Sequence, residues 1–233
     1  MLNQPPIFLG GQGGVVGPVR LGYGAVVAAG SILRKDYPGD NQLIFAPTPD
    51  ESVRPFAPAF YPGMRRIIKN NILYLANLKA LEAWYRCVRK AYLDAGEFGP
   101  LLYAGVMDQL ASARKERLKR LQAMAEKAAA PAGKERNPET VALGQALIEH
   151  LKLMEDVFDA DAPGDDTQCF QDAFVRDFEK AAGNGPTSYL DTIRRLPPEI
   201  SARGVQWLDR VVGSCCDTLA AASPSLSLFE KSI

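Results

Sequence analysis

The sequence predicts an α+β protein: a short β-helix stub built from hexapeptide repeats, followed by an all-α helical bundle. Three observations predict it. Leu9, Val15, Leu21, Val27 and Leu33 recur at every sixth position. Nine of the 20 glycines fall within residues 1–39. From residue 63 onward the apolar residues return at helical spacing, interrupted by proline, glycine and capping residues.

A period of six fits neither the 3.6-residue helix nor a long alternating strand. It fits short strands that turn a corner every six residues, each sending one aliphatic side chain inward. Glycine serves corners that need positive φ or close backbone approach. The run Gly10-Gly-Gln-Gly-Gly14 suggests a phosphate loop instead, but it lacks the Gly-Lys-Ser/Thr ending. It also lacks the G-x-G-x-x-G spacing of a dinucleotide-binding turn. The stub is assigned to residues 1–37.

Residues 38–62 hold Pro38, Pro47, Pro49, Pro55, Pro58 and Pro62, too many for a regular helix or central strand. They read as an extended linker, tacked down by Leu43, Ile44, Phe45, Phe56, Phe60 and Tyr61.

Residues 63–233 read as helical. Ile67, Tyr74, Leu81 and Val88 repeat by sevens and predict a helix from Met64 to Asp94. A second helix, Pro100 to Ala129, has Leu102, Val106, Leu110, Leu118 and Leu121 inside. Its basic run Arg114, Lys115, Arg117, Lys119, Arg120 is read as exposed. Ala128 to Lys134 breaks the pattern, and Asn137 caps a third helix with Pro138 at its first position, reaching Asp159. Thr167 is the candidate cap of a fourth, with Phe170, Phe174 and Phe178 on one stripe and Gly183 at its end. Thr187 to Leu196 and Pro198 to Ala222 complete the bundle, and the tail from Ser223 is expected to fray.

The 233 residues suffice for one large or two small domains, and 47% hydrophobic with 23% charged is ordinary for a soluble chain. No apolar run reaches the length of a transmembrane helix, and the N-terminus lacks a signal-peptide pattern. Net zero charge hides an asymmetry. Residues 1–136 carry 19 Lys+Arg against 11 Asp+Glu, and residues 137–233 carry 8 against 16, or +8 and −8. Such a chain can pair with itself or offer its basic part to an anion. Nucleic acid is not expected as a partner, because no basic cluster is interleaved with aromatics.

A lone histidine, His150, rules out a His-rich zinc site. Cys87, Cys169, Cys215 and Cys216 lack metal-type spacing and read as reduced thiols of a cytoplasmic protein. Asp159, Asp161, Asp165 and Asp166 resemble a calcium loop without its central glycine and terminal Glu. No metal site and no cofactor is expected.

The stretch from Leu9 to Asp36 resembles the closing coils of left-handed β-helix transferases, so the expected stub is a left-handed β-helix. Within it, Ala29-Gly-Ser-Ile-Leu-Arg-Lys-Asp36 is similar to the segment ending the β-helix in many hexapeptide acyltransferases. Two further segments, Pro5-Pro-Ile-Phe-Leu-Gly-Gly-Gln-Gly-Gly14 and Arg65-Arg-Ile-Ile-Lys-Asn-Asn-Ile-Leu-Tyr-Leu-Ala-Asn77, resemble the C-terminal half of longer bacterial proteins. Those are the UDP-N-acetylglucosamine pyrophosphorylase-related proteins, and the likeness spans residues 5–95.

The resemblance implies a nucleotidyltransferase or acyltransferase relationship, a sugar-nucleotide or acyl-CoA ligand, and trimeric self-association. The chain departs from the family by lacking an alternating strand–helix nucleotide-binding domain and any histidine in residues 1–40. Five hexads are also too few to bury a repeat core. The expectation is therefore the C-terminal portion of a transferase-like protein, not catalytic alone; the alternative is a non-catalytic oligomerisation or assembly module.

Candidate anion-binding residues follow from charge and position. Arg20, Arg34 and Lys35 lie where related transferases hold phosphates, or are solvated corners. Arg65, Arg66, Lys69 and Asn70, with Asn71, open the first long helix. Cations oppose the dipole there unless an anion or acidic partner is near. No catalytic residue is assigned, and His150 reads as a surface or interface residue.

Overall fold

The computed structural model describes residues 4–46, 50, 53, 61, 63–130, 137–160, 165–183, 188–226 and 228, with residues 165 and 166 through their backbone. Apart from the short stretch Ile193–Arg195, the chain divides into two compact units at residues 56 and 57. Over the described residues it is 69% helical.

The front unit contains five two-residue strands: β1 (Phe8–Leu9), β2 (Gly14–Val15), β3 (Val26–Val27), β4 (Ile32–Leu33) and β5 (Leu43–Ile44). They form a parallel three-stranded sheet, β1-β3-β5, and a parallel two-stranded sheet, β2-β4. A single bridge joins Leu21 to Tyr37. This corrects the expected left-handed β-helix stub: the described residues show two short sheets and no closed or coiled solenoid. A turn or bend begins two residues after each of β1 to β4, and the bridge supplies only one further pairing. Of the hexad residues, Val27 and Leu33 are buried with Ala25, Ile44 and Ala46, and Leu21 packs beside them. Leu9 and Val15 are more than half exposed and stand outside that cluster. β5 falls inside the stretch read as linker. Residues 47–49, 51–52, 54–60 and 62, and with them most of that linker and its prolines, lie outside the described residues.

The helical unit begins with α1 (Met64–Trp84), continues through a π-helical turn (Tyr85–Arg89) and ends its first arm in α2 (Lys90–Asp94). The remaining helices are α3 (Gly99–Ala129), α4 (Pro138–Asp159), α5 (Asp165–Ala182), α6 (Tyr189–Arg195) and α7 (Pro198–Ala222). The buried line of α1 is Met64, Ile68, Ile72, Leu75 and Ala76, one residue around from the heptad read in the sequence. Tyr74 and Leu81 are therefore exposed. The α4 start is as expected: the Asn137 side chain accepts from the Glu139 amide at 2.9 Å, and Pro138 occupies the first turn, where a missing N–H costs nothing. Thr167 sits inside α5 and is not its cap; it is buried. Leu102 is exposed, and the tail is not frayed at its start, since Leu226 and Leu228 join the main core.

That core joins α1, α3, α4 and α7 through Ile68, Ile72, Leu121, Leu147, Met154 and Leu219. A second, aromatic packing group brings Trp84, Phe174 and Trp207 together, with Phe174 stacked on Trp207 at 5.5 Å and on Trp84 at 5.7 Å. Helices α3 and α4 approach closely at Gly144, where a β-carbon would lie 2.8 Å from the Ala129 nitrogen and 2.9 Å from the Ala125 oxygen. Both are backbone atoms and cannot swing away. Gly144→Ala is expected to cost about 1–3 kcal/mol by overpacking, read as a lower urea midpoint; an unchanged midpoint would show that the two helices separate freely.

A charged cavity in the helical unit

Arg114 is the first surprise of the site. The sequence reading placed it on an exposed basic face, yet it is 8% exposed. It lies four residues after Leu110 and seven before Leu121, on the same buried line of α3. A buried guanidinium needs an ion partner, and α1 supplies one: Glu82, 5% exposed, accepts from Arg114 Nη1 through Oε2. Glu82 Oε1 accepts from Arg86, one turn onward, at 2.6 Å. Arg114 Nε stands 3.6 Å from Asp159 Oδ1 at the end of α4 and has no hydrogen-bond partner among the described residues.

Lys79, one turn before Glu82, donates to the carbonyl oxygens of Phe158, at 3.2 Å, and Ala160. It thus holds the C-terminus of α4, where unsatisfied carbonyls favour a cation. Burial is the largest influence on its ammonium and pushes its pKa below the ordinary lysine value; Arg114 and Arg86 add to this, and Glu82 opposes it.

These residues edge a cavity of about 330 Å³ between α1, α4, α5 and α7. Lys79, Glu82 and Arg86 form its charged side, and Ala83, Val157 and Val211 its apolar side. Cys87 and Cys215 also line it. Burial pushes both thiols above their ordinary pKa, so they stay protonated and act as small apolar groups. Cys216, in the neighbouring core, is pushed up to about 11 by burial and by Cys215 and Asp217. The π-helical turn inserts its wider ring just where Arg86 and Cys87 meet the cavity, a placement common at functional positions.

The sequence-read candidates lie elsewhere. Arg20, Arg34 and Lys35 are exposed on the front unit; Arg20 donates its backbone N–H to Asp36 at 2.8 Å, and Lys35 lies 5.5 Å over the Tyr37 ring. At the start of α1, the acidic partner called for by the helix dipole exists within the chain. Arg65 pairs with Glu139 at 3.1 Å and donates to the Leu226 carbonyl at 2.6 Å. Arg66 is exposed, and Lys69 and Asn70 are half-buried. Asn71 donates to the Ile67 carbonyl and accepts from Arg117. His150 sits 3.3 Å from the Ser225 hydroxyl, and among the described contacts no carboxylate is arranged on its other ring nitrogen to complete a relay. Among the described residues no His/Cys/Asp/Glu group could hold a metal. Asp161, and the side chains of Asp165 and Asp166, lie outside the described residues.

Nothing in the sequence singled out Lys79, Glu82 or Arg86. The one available signal was Glu82 and Arg86 at i, i+4 on a helix rich in apolar residues, which is ordinarily a surface pair.

Fold and site together define a two-unit chain, a front unit of short parallel sheets and an α-helical unit with a charged cavity. Compared with family models, curated proteins and solved structures, the chain has no match. No helix among the described residues is long and apolar enough to cross a membrane.

Proposed function

We propose that the chain is a non-catalytic assembly module that associates with further copies of itself through the outer face of the three-stranded sheet. One observation carries this reading. Phe8, Val26 and Leu43 are register partners across β1, β3 and β5, and they are 61%, 40% and 62% exposed. Phe45, two residues on from Leu43, extends the row and is 74% exposed. Side chains alternate across a sheet, so Val27 and Ile44 form the small core on one face while this apolar row faces outward. Contiguous exposed apolar surface marks an interaction site more often than scattered residues do. A row on a symmetric pair of copies is self-complementary, as a two-fold interface requires.

Charge complementarity between copies carries less. The basic and acidic parts of the sequence meet within one chain, through Arg65–Glu139 and Arg114–Asp159. All four cysteines are free thiols, which suits a cytoplasmic location, and that location is part of the proposal. A transferase-like role toward sugar nucleotides is supported by the residue likeness; its candidate cations Arg20, Arg34 and Lys35 are exposed side chains.

Light scattering on the eluting protein tests the reading. The wild-type chain is expected to run at a multiple of 25.3 kDa, and the double variant Phe8→Lys/Leu43→Lys at the single-chain mass. UDP-N-acetylglucosamine and acetyl-CoA are expected to leave the melting temperature unchanged, since only a ligand bound by the folded state raises it. A single-chain mass for the wild type would contradict this reading, and a clear rise in Tm with either compound would favour the transferase-like one.

A further inference from the structure

We infer that the cavity between α1, α4, α5 and α7 binds a small neutral molecule, with its hydrocarbon part against Ala83, Val157 and Val211 and one hydroxyl or carbonyl group held by Thr167, Gln171 and Ser214.

The charged groups at the cavity are already matched inside the protein. Glu82 gives one oxygen to Arg86 and the other to the buried Arg114. Arg86 has a further interaction besides Glu82. The Lys79 ammonium donates to the Phe158 and Ala160 carbonyls at the end of α4. An ionic ligand would have to leave water and then compete for these contacts. Burying an ion without a partner of its own costs far more than burying a neutral group.

The neutral polar side chains are the ones left over. Thr167 and Gln171 stand four residues apart on α5 and so share one face of that helix. Both line the cavity, and Ser214 on α7 joins them. Among the described residues none of the three side chains has a hydrogen-bond partner. Thr167 is only 3% exposed, so it faces the cavity and not bulk water. A hydroxyl and a carboxamide each donate and accept, which suits a ligand hydroxyl or carbonyl, and a polar group buried without a partner gains from meeting one.

The rest of the wall is apolar. Ala83, Val157 and Val211 are joined by the Cys87 and Cys215 thiols, which burial keeps protonated. The volume of about 330 Å³ stands at the lower end of the usual range for small-molecule sites, about 300–1,000 Å³. An apolar cavity of about 150 Å³ already holds benzene, so a ring with a short polar substituent fits here.

The test uses the full chain and four probes on one skeleton: benzyl alcohol, toluene, benzoate and benzylamine, followed by calorimetry and thermal shift. Benzyl alcohol is expected to bind one per chain and raise Tm, and toluene to bind more weakly. Benzoate and benzylamine, both ionised near neutral pH, are expected to bind at least about tenfold more weakly than benzyl alcohol. Thr167→Val keeps the side-chain shape; it is expected to weaken benzyl alcohol by about three- to tenfold, the loss of one neutral hydrogen bond, and to leave toluene unchanged. Ala83→Leu, at a half-buried position on the apolar side, is expected to narrow the cavity and weaken both neutral probes by about tenfold or more, with the far-ultraviolet circular dichroism unchanged. The inference is overturned if neither neutral probe binds the wild type, if benzoate or benzylamine binds as tightly as benzyl alcohol, or if either variant binds benzyl alcohol as tightly as the wild type.

Discussion

Glu82→Leu is expected to destabilise the helical unit by about 3–5 kcal/mol, the cost of leaving a buried charge without its partner. The stranded group is the Arg114 guanidinium, which is buried and whose Nε already lacks a hydrogen-bond partner among the described residues. Asp159 at 3.6 Å is too long a contact to replace a direct carboxylate. Arg114→Leu is expected to cost less, because Glu82 keeps Arg86 at 2.6 Å. The double variant Glu82→Leu/Arg114→Leu should recover most of the loss, since an apolar pair of similar volume avoids desolvating two ions. Tryptophan fluorescence in a urea titration reads this directly: both tryptophans, Trp84 and Trp207, lie in the helical unit. A single variant as stable as the wild type would mean that water reaches the pair and that it is not a buried ion pair.

Trp207→Ala is the second large effect, expected at about 3–5 kcal/mol for deleting a fully buried aromatic side chain. Trp207 has no exposure and stands within 5.5 Å of Phe174 and 6.4 Å of Trp84, ring centre to ring centre. The loss would be felt in α1, α5 and α7 together, because each contributes one ring. Trp207→Phe is expected to cost clearly less, because the indole Nε1 is buried without a hydrogen-bond partner among the described residues and its removal strands none of them. The fluorescence of the remaining Trp84, followed through the same titration, checks both variants. Equal losses for the alanine and phenylalanine variants would show that the indole nitrogen, not ring volume, holds the site.

Local signals were the ones the sequence carried well. Asn137 and Pro138 mark the α4 start through a cap and a residue that needs no N–H, and both effects act within one turn. Gly183 closes α5 with φ of 72°, a conformation glycine adopts without strain. Pro198 and Ala222 bound α7 as read. What failed depended on distant partners. Arg114 sits in a run of charges that reads as a solvated face, and only Glu82, 32 residues away in sequence, makes its burial tolerable. The heptad of Ile67, Tyr74, Leu81 and Val88 has the right period, yet along α1 the face that packs is set by α3, α4 and α7 and runs through Ile68, Ile72 and Leu75; Val88 is buried as read, in the π-helical turn that follows. Leu226 and Leu228 follow two serines and a proline that suggest a loose end, and find a core that no local pattern announces.

The front unit shows the same limit from another side. The six-residue period does bring Leu9 beside Val27 and Val15 beside Leu33. A period does not supply the number of layers, and Leu9, Val15 and the Phe8–Val26–Leu43 row stay exposed. The charged cavity was illegible for a related reason. Lys79, Glu82 and Arg86 look like a surface ladder until α4, α5 and α7 close over them.

The central claim is that copies of the chain meet through an apolar row and not through its opposite charges. Molar mass by light scattering, compared at about 0.05 M and about 1 M sodium chloride, tests it most directly, because the Debye length falls to about 3 Å at 1 M. Association through Phe8, Val26, Leu43 and Phe45 predicts an assembled mass at both salt concentrations. Collapse to 25.3 kDa at high salt would contradict it and return the assembly to the +8 and −8 parts of the sequence.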